Sequence, residues 1–239
     1  MALYDLKKLL SENTYPGRGL IVGKSGDGKK AMIAYFIMGR SENSRNRVFE
    51  RFEGGMRTKA FDESKLSDPS LIIYNPFLQL ESVDIVTNGD QTNTIYDFMK
   101  ESDDGFAFEK ALRTREFEPD APNFTPRISA AMDFNGGYTY KMNICKSADA
   151  EGSACNRYNW AYVPTKGVGH FLHTYNGDGN PIPTFTGEPE RVFVPNNLEA
   201  FAEEIWNNLN ANNKISLYVG QINLKTGEEK TVMYNKNKA

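Results

Sequence analysis

The stretch RISAAMDFNGGYTYKMNI (127–144) sets two β-rich runs on either side of Asn135-Gly136. That pair suits the positive φ angles of a two-residue type I′ turn, so the stretch reads as an antiparallel hairpin. The same punctuation recurs outward from it. GLIVG (19–23) and AMIAYFIMG (31–39) flank Ser25-Gly26-Asp27-Gly28, and ISLYVGQINL with KTVMYN flanks Lys225-Thr226-Gly227. LIIY (71–74), DIVTNG (84–89), NWAYVP (159–164), GHFLHTY (169–175) and RVFVP (191–195) read as further strands. Helical spacing is confined to residues 2–10, 92–101 and 104–116, and to a run after Asn196. There Asn196 and Glu199 fit a capping box, with Leu198, Phe201, Ala202, Ile205 and Leu209 on one face. Strands joined by turns predict an α+β fold of largely antiparallel sheets rather than a doubly wound parallel one. No linker divides the chain, so residues 1–239 are expected to form a single domain with 1–14 as an N-terminal helical extension.

At 239 residues a core needs no staples, and the two cysteines, Cys145 and Cys155, are too few for a disulfide framework. They read as reduced thiols. A net charge of −3 argues against a broad nucleic-acid footprint. The apolar run at 31–39 is too short to span a bilayer, and the N-terminal segment has no continuous apolar core of a signal peptide. The expectation is a cytoplasmic protein with no nucleic-acid or membrane partner.

Four features carry candidate chemistry. Gly23–Lys30 (GKSGDGKK) matches G-x-x-x-x-G-K, but Lys30 stands where a phosphate loop has Ser or Thr, and a strand rather than a helix follows. It reads as a hairpin turn. His170 and His173 lie three apart on a strand, so they face opposite ways and would not share a metal; His173 beside Tyr175 is either core or pocket lining. Arg40, Arg45 and Arg47, followed by Arg51, form a solvated loop or an anion site, the latter favoured by guanidinium geometry. Tyr74-Asn75-Pro76, Thr87-Asn88-Gly89-Asp90, Gln91–Ile95 and Thr125-Pro126-Arg127 stand at strand ends, where each alone is an ordinary turn.

Taken in order, YPGRGLIVG (15–23), AYFIMGRSENSRNRVF (34–49), YNP (74–76), IVTNGDQTNTIYD (85–97), NFTPRISAAM (123–132) and HTYNGDGNPIPTFTGEP (173–189) resemble the IMP cyclohydrolase family first recognised in archaea. The chain departs from it in the helix ahead of Tyr15 and in a longer Arg40–Arg47 segment. The resemblance implies a four-layer αββα sandwich of two largely antiparallel sheets, like the N-terminal-nucleophile hydrolases but without the nucleophile. It also implies ring closure of 5-formamidoimidazole-4-carboxamide ribonucleotide to inosine monophosphate, with loss of water, in de novo purine biosynthesis. No metal, nicotinamide or folate cofactor is then expected, and a separate formyltransferase is the pathway partner. A homo-oligomer is compatible with this reading.

By that resemblance Arg18, Arg45, Arg47 and Arg127, with Arg40 beside them, bind the phosphate or the developing oxyanion. Asn75, Asn88, Thr94 and Tyr175 shape the base and ribose pocket. Tyr74 is the acid, and Glu118 and Asp120 are the carboxylates placed to act as base. Two alternatives stand beside it. One is a non-catalytic purine-nucleotide-binding protein. The other is an amidohydrolase on the same fold, which would need a nucleophile exposed by processing near Ser11 or Thr14.

Overall fold

A computed structural model describes residues 2–66, 69, 72–102 and 104–238. In chain order the strands are β1 (Arg18–Lys24), β2 (Lys30–Met38), β3 (Arg47–Phe52), β4 (Gly55–Ala60), β5 (Phe77–Leu80), β6 (Val83–Thr87) and β7 (Arg127–Asp133). They continue with β8 (Thr139–Ser147), β9 (Cys155–Tyr162), β10 (Val168–His173), β11 (Glu190–Phe193), β12 (Lys214–Asn223) and β13 (Glu229–Asn235). The α-helices are α1 (Leu6–Glu12), α2 (Glu42–Arg45), α3 (Gln91–Lys100), α4 (Ala107–Ala111) and α5 (Leu198–Asn208). One sheet has the order β11-β10-β1-β2-β12-β13 and the other β3-β4-β5-β6-β7-β8-β9. Neighbouring strands in both run antiparallel.

Strand β2 shows why the two sheets stack. Its side chains alternate, sending Ile33, Tyr35 and Ile37 against Phe49, Phe77, Val86, Ile128 and Met142 of the opposite sheet. Met32, Ala34, Phe36 and Met38 face the other way, under Leu6 and Leu10 of α1 and Phe201 and Ile205 of α5. A strand buried on both faces must be apolar throughout, which is how β2 reads. On the far side Ile95, Phe108 and Leu112 cover Ile85 and Ala131. The layers are therefore helix, sheet, sheet, helix. Both cysteines are free thiols, and among the described residues no helix is long and apolar enough to cross a membrane.

Several local expectations need correction. The 127–144 hairpin forms, but Asp133 pairs with Thr139, leaving a five-residue loop instead of a two-residue turn. Phe134 donates its N–H to the Ser82 carbonyl and stacks on Tyr138, so neither joins the ladder; the positive φ angles fall on Gly136 and Gly137. LIIY is not a strand. Leu71 lies outside the described residues, and the Ile72 and Tyr74 carbonyls both accept from the Thr58 hydroxyl; pairing resumes after Pro76, at Phe77. The first helix starts at Leu6, capped by Asp5. The 104–116 helix shortens to α4 and a 3₁₀ turn. The α5 cap is Asn197, whose side chain accepts from the Ala200 N–H. Asn196 instead accepts from the Asp27 N–H and Lys30 Nζ.

Gly23–Lys30 is the β1–β2 turn, closed by Ser25 N–H on the Lys30 carbonyl at 3.0 Å. Lys29 is exposed. Lys29→Ala is expected to leave the unfolding temperature unchanged, and a nucleoside triphosphate should give no heat in a calorimetric titration. Saturable triphosphate binding, lost in that variant, would restore the phosphate-loop reading. The histidines do face apart: His170 Nδ1 meets Tyr140 Oη at 2.6 Å, and His173 Nε2 meets Glu190 at 3.2 Å. Burial pushes His170 down to about 4.

Asp84 is an electrostatic weak point of this core. It is 4% exposed, and its Oδ2 has no hydrogen-bond partner among the described residues. Burial, with Glu229 adding, raises its carboxyl to about 7 against the opposing effects of Gln79 and Arg51. The folded chain thus binds this proton more tightly than the unfolded chain does. Stability is fully present below about pH 4 and declines as pH rises to about 7. Asp84→Asn should flatten that decline and raise the melting temperature at pH 8. A variant that melts with the wild-type pH dependence would contradict this.

Candidate active site

The site forms where one end of the inter-sheet space meets three connections: the β2–β3 segment, residues 115–126, and residues 174–189. A cleft of about 330 Å³ opens there, lined by Arg18, Arg40, Arg47, Glu118, Asp120 and Tyr175 among others.

Arg47 opens β3, and strand alternation puts Arg47, Phe49 and Arg51 on one face. Phe49 fills the inter-sheet core, Arg47 lines the cleft, and Arg51 reaches the Tyr218 hydroxyl at 3.1 Å. Arg47 is 1% exposed. Its Nε donates to the Ser44 carbonyl at 2.7 Å and its Nη2 to the Met38 carbonyl at 3.2 Å. Its Nη1 is buried with no hydrogen-bond partner among the described residues. Among the described residues no carboxylate pairs with it. Burial lowers its pKa, and the neighbouring Arg18 charge adds to the effect. The two carbonyls converge because α2 folds tightly back on β2. Gly39 permits this, since a Cβ there would stand 2.4 Å from Ser44 Oγ.

Arg18 is handled differently. Its Nη1 donates to Glu118 Oε2 at 3.1 Å, and both side chains are buried. Burial works against the Arg18 charge, but Glu118, helped by Tyr74, Tyr35 and Tyr175, outweighs it, and the net shift is upward. Burial raises the Glu118 carboxyl, opposed first by Arg18 and then by Arg127. Glu118 N–H is tied to the Thr125 carbonyl at 2.8 Å. Asp120 accepts from the Thr125 N–H at 2.6 Å and from its hydroxyl. Since a carboxylate only accepts, Thr125 Oγ1 donates to it and receives from the Tyr175 hydroxyl. Donation therefore runs from Tyr175 through Thr125 to the accepting carboxylate of Asp120. Phe124 in this loop has φ of 43°, a strain of about 1–3 kcal/mol of the kind that persists where surroundings over-determine the backbone.

At the mouth Tyr15 stacks on Tyr175, with ring centroids 5.9 Å apart. Arg40 lies 5.1 Å from the Tyr15 ring centre, pairs with Asp178, and donates to the Gly179 carbonyl at 2.8 Å.

Six expected residues therefore meet in one cleft: Arg18, Arg40, Arg47, Glu118, Asp120 and Tyr175. Tyr74 is mostly buried just behind it, with its hydroxyl 2.8 Å from that of Tyr35 and close enough to Arg18 and Arg47 to interact electrostatically with both. The remaining residues do not line the cleft. Arg45 donates to the Gly39 carbonyl and Asn213, fastening α2. Asn75 donates to Asn93 at 3.2 Å. Asn88 donates to the Pro126 carbonyl and accepts from Ile128 N–H and Gln91, joining β6 to β7. Thr94 is half-buried on α3. Arg127 is one residue out of phase with the inward-facing Ile128, and its Nη1 is taken by Gln91 at 2.8 Å and Asp90 at 2.7 Å. His173 is buried and does not line the cleft. Thr125, which opens the Thr125-Pro126-Arg127 motif, lines it too, and so do Tyr15 and Asn123, which had not been singled out; the Tyr15-Pro16 and Asn123-Phe124 pairs were the available signal.

A family model described as IMP cyclohydrolase-like protein matches residues 15–227. No curated protein matches the chain.

Proposed function

Because the chain belongs to the IMP cyclohydrolase-like family, we propose that it closes the purine ring of 5-formamidoimidazole-4-carboxamide ribonucleotide, giving inosine monophosphate and water. The observation that carries this reading is Arg47, a buried guanidinium whose Nη1 has no hydrogen-bond partner, and which has no carboxylate partner, among the described residues. Burying a charge without a counter-ion costs several kcal/mol, a cost that an arriving phosphate offsets. Arg40 at the mouth adds a second cation for the same anion. The match over residues 15–227 supports reading the chain as a single domain, with residues 1–14 as an N-terminal helical extension. The formyl group comes from a separate formyltransferase.

The chemistry can be assigned to groups already in place. The carboxamide nitrogen attacks the formyl carbon of the same molecule, so holding both groups in an attacking geometry supplies much of the rate. A C–N bond forms as Glu118 takes one proton from that nitrogen and returns it to the formyl oxygen, which becomes a hydroxyl. Arg18, fixed beside Glu118, offers positive charge to that oxygen while it is negative. The C–O bond then breaks. The hydroxyl leaves as water with a proton from Tyr74, and the former formamide nitrogen gives its proton back to the Tyr74 oxygen as the C=N bond forms. Burial of Glu118 suits it to this role, because a raised pKa makes a carboxylate a stronger base.

Calorimetric titration with inosine monophosphate and with inosine tests the anion site. The nucleotide is expected to bind at least about tenfold more tightly, the worth of one charge-assisted contact. Equal affinities would remove the phosphate from Arg47 and overturn the reading.

A further inference from the structure

We propose that Tyr35 is a positioning residue of this site: from the core between the sheets its hydroxyl donates to the Tyr74 oxygen and turns the Tyr74 proton towards the arginine-lined cleft. The inference rests on the ring-closure reading for what that proton does.

Tyr35 sits in the middle of β2 with 0% exposure, its ring stacked on Phe49 at 5.7 Å. Its hydroxyl is 2.8 Å from that of Tyr74, the one hydrogen-bond partner it has among the described residues. Tyr74 is clamped through its backbone. Its N–H donates to Thr58 Oγ1 at 2.8 Å, and its carbonyl accepts from the Thr58 N–H at 2.9 Å and hydroxyl at 3.1 Å. What remains free is the rotation of the phenol, and Tyr35 fixes that.

Either hydroxyl can donate in such a pair, but the surroundings choose. If Tyr74 donated, the Tyr35 proton would be left unpaired in an apolar core, a costly state for a buried donor. With Tyr35 donating, the Tyr35 proton is paired, and the Tyr74 proton, which has no acceptor among the described residues, is left on the side of Arg18 and Arg47 for a ligand to accept. Burial holds the Tyr35 pKa well above that of an ordinary phenol, with Tyr74 adding, so Tyr35 stays a donor throughout the working range. When Tyr74 passes its proton to the departing hydroxyl, negative charge grows on its oxygen. The bond from Tyr35 strengthens at that moment, along with the attraction of Arg18 and Arg47. An interaction that tightens only in the transition state appears in kcat rather than in KM.

A double-mutant cycle on ring closure by the full-length protein tests this. Tyr35→Phe is expected to lower kcat by roughly tenfold to a hundredfold, with KM within about threefold of wild type. In the Tyr74→Phe background the same substitution should cost nothing further, because Tyr35 acts through Tyr74. Phe49→Leu, which loosens the Tyr35 ring and spares both hydroxyls, should lower the melting temperature and leave kcat near wild type. Additive losses, a loss confined to KM, an equal loss of kcat in Phe49→Leu, or a Tyr35→Phe chain that does not fold would each overturn the positioning role. A wild-type protein that does not close the ring overturns the ring-closure reading itself, which is a separate result.

Discussion

Glu118→Gln is expected to reduce kcat by roughly 10²–10⁴-fold, the range for removing a positioned general base. The amide keeps the shape of the carboxylate and can still accept from Arg18, so affinity for inosine monophosphate should change only a few-fold. The wild-type pH profile carries the sign of the effect. A base works when deprotonated, and burial raises the Glu118 pKa. The acid limb of kcat should therefore lie above the ordinary glutamate range, with activity rising through it as pH increases. That limb should vanish in Glu118→Gln. A profile with the same limb in both proteins would move the base elsewhere, Asp120 being the next carboxylate in the cleft. Glu118→Ala is a harsher change, because it strands the Arg18 charge, and should cost about 3–5 kcal/mol of stability.

The second large effect belongs to Arg47. Arg47→Met should lower kcat/KM by roughly tenfold to a few hundredfold, since a charge-assisted contact is worth about 1.5–3 kcal/mol. Its thermal stability should hold or rise, because no carboxylate among the described residues pairs with this guanidinium and burial disfavours its charge. Loss of function with a gain in stability separates a binding group from a structural one. Arg47→Lys should recover only part of the activity, because an ammonium cannot reach the same planar set of contacts. The nucleoside should be a poor substrate for wild type and respond little to either change. A variant that melts far below wild type yet binds the nucleotide normally would make Arg47 a structural residue.

The sequence told more about strands than about the cleft, for a physical reason. Turn chemistry is local, so the hairpins at Ser25–Gly28, Asn135-Gly136 and Lys225–Gly227 were visible, and the two-sided burial of β2 was visible as an unbroken apolar run. Site membership depends on register, which is not local. Arg47 and Arg127 both begin strands and look alike in the sequence. One faces the space between the sheets, while the other is spent on Asp90 and Gln91. A shift of one residue decides between those fates. Asn88 looked like a ligand-binding asparagine, but its amide is used in bonds to Pro126, Ile128 and Gln91. Thr58 replaced the strand expected at LIIY through side-chain bonds that no local pattern announces.

The most direct measurement is the ultraviolet absorbance change when purified protein meets the formylated ribonucleotide. The expected result is a saturable rate proportional to enzyme, with inosine monophosphate as the product, that falls by at least about a hundredfold in Glu118→Gln. Tight binding of inosine monophosphate with a trace no faster than the uncatalysed reaction would contradict the proposed enzyme and leave a nucleotide-binding protein in its place.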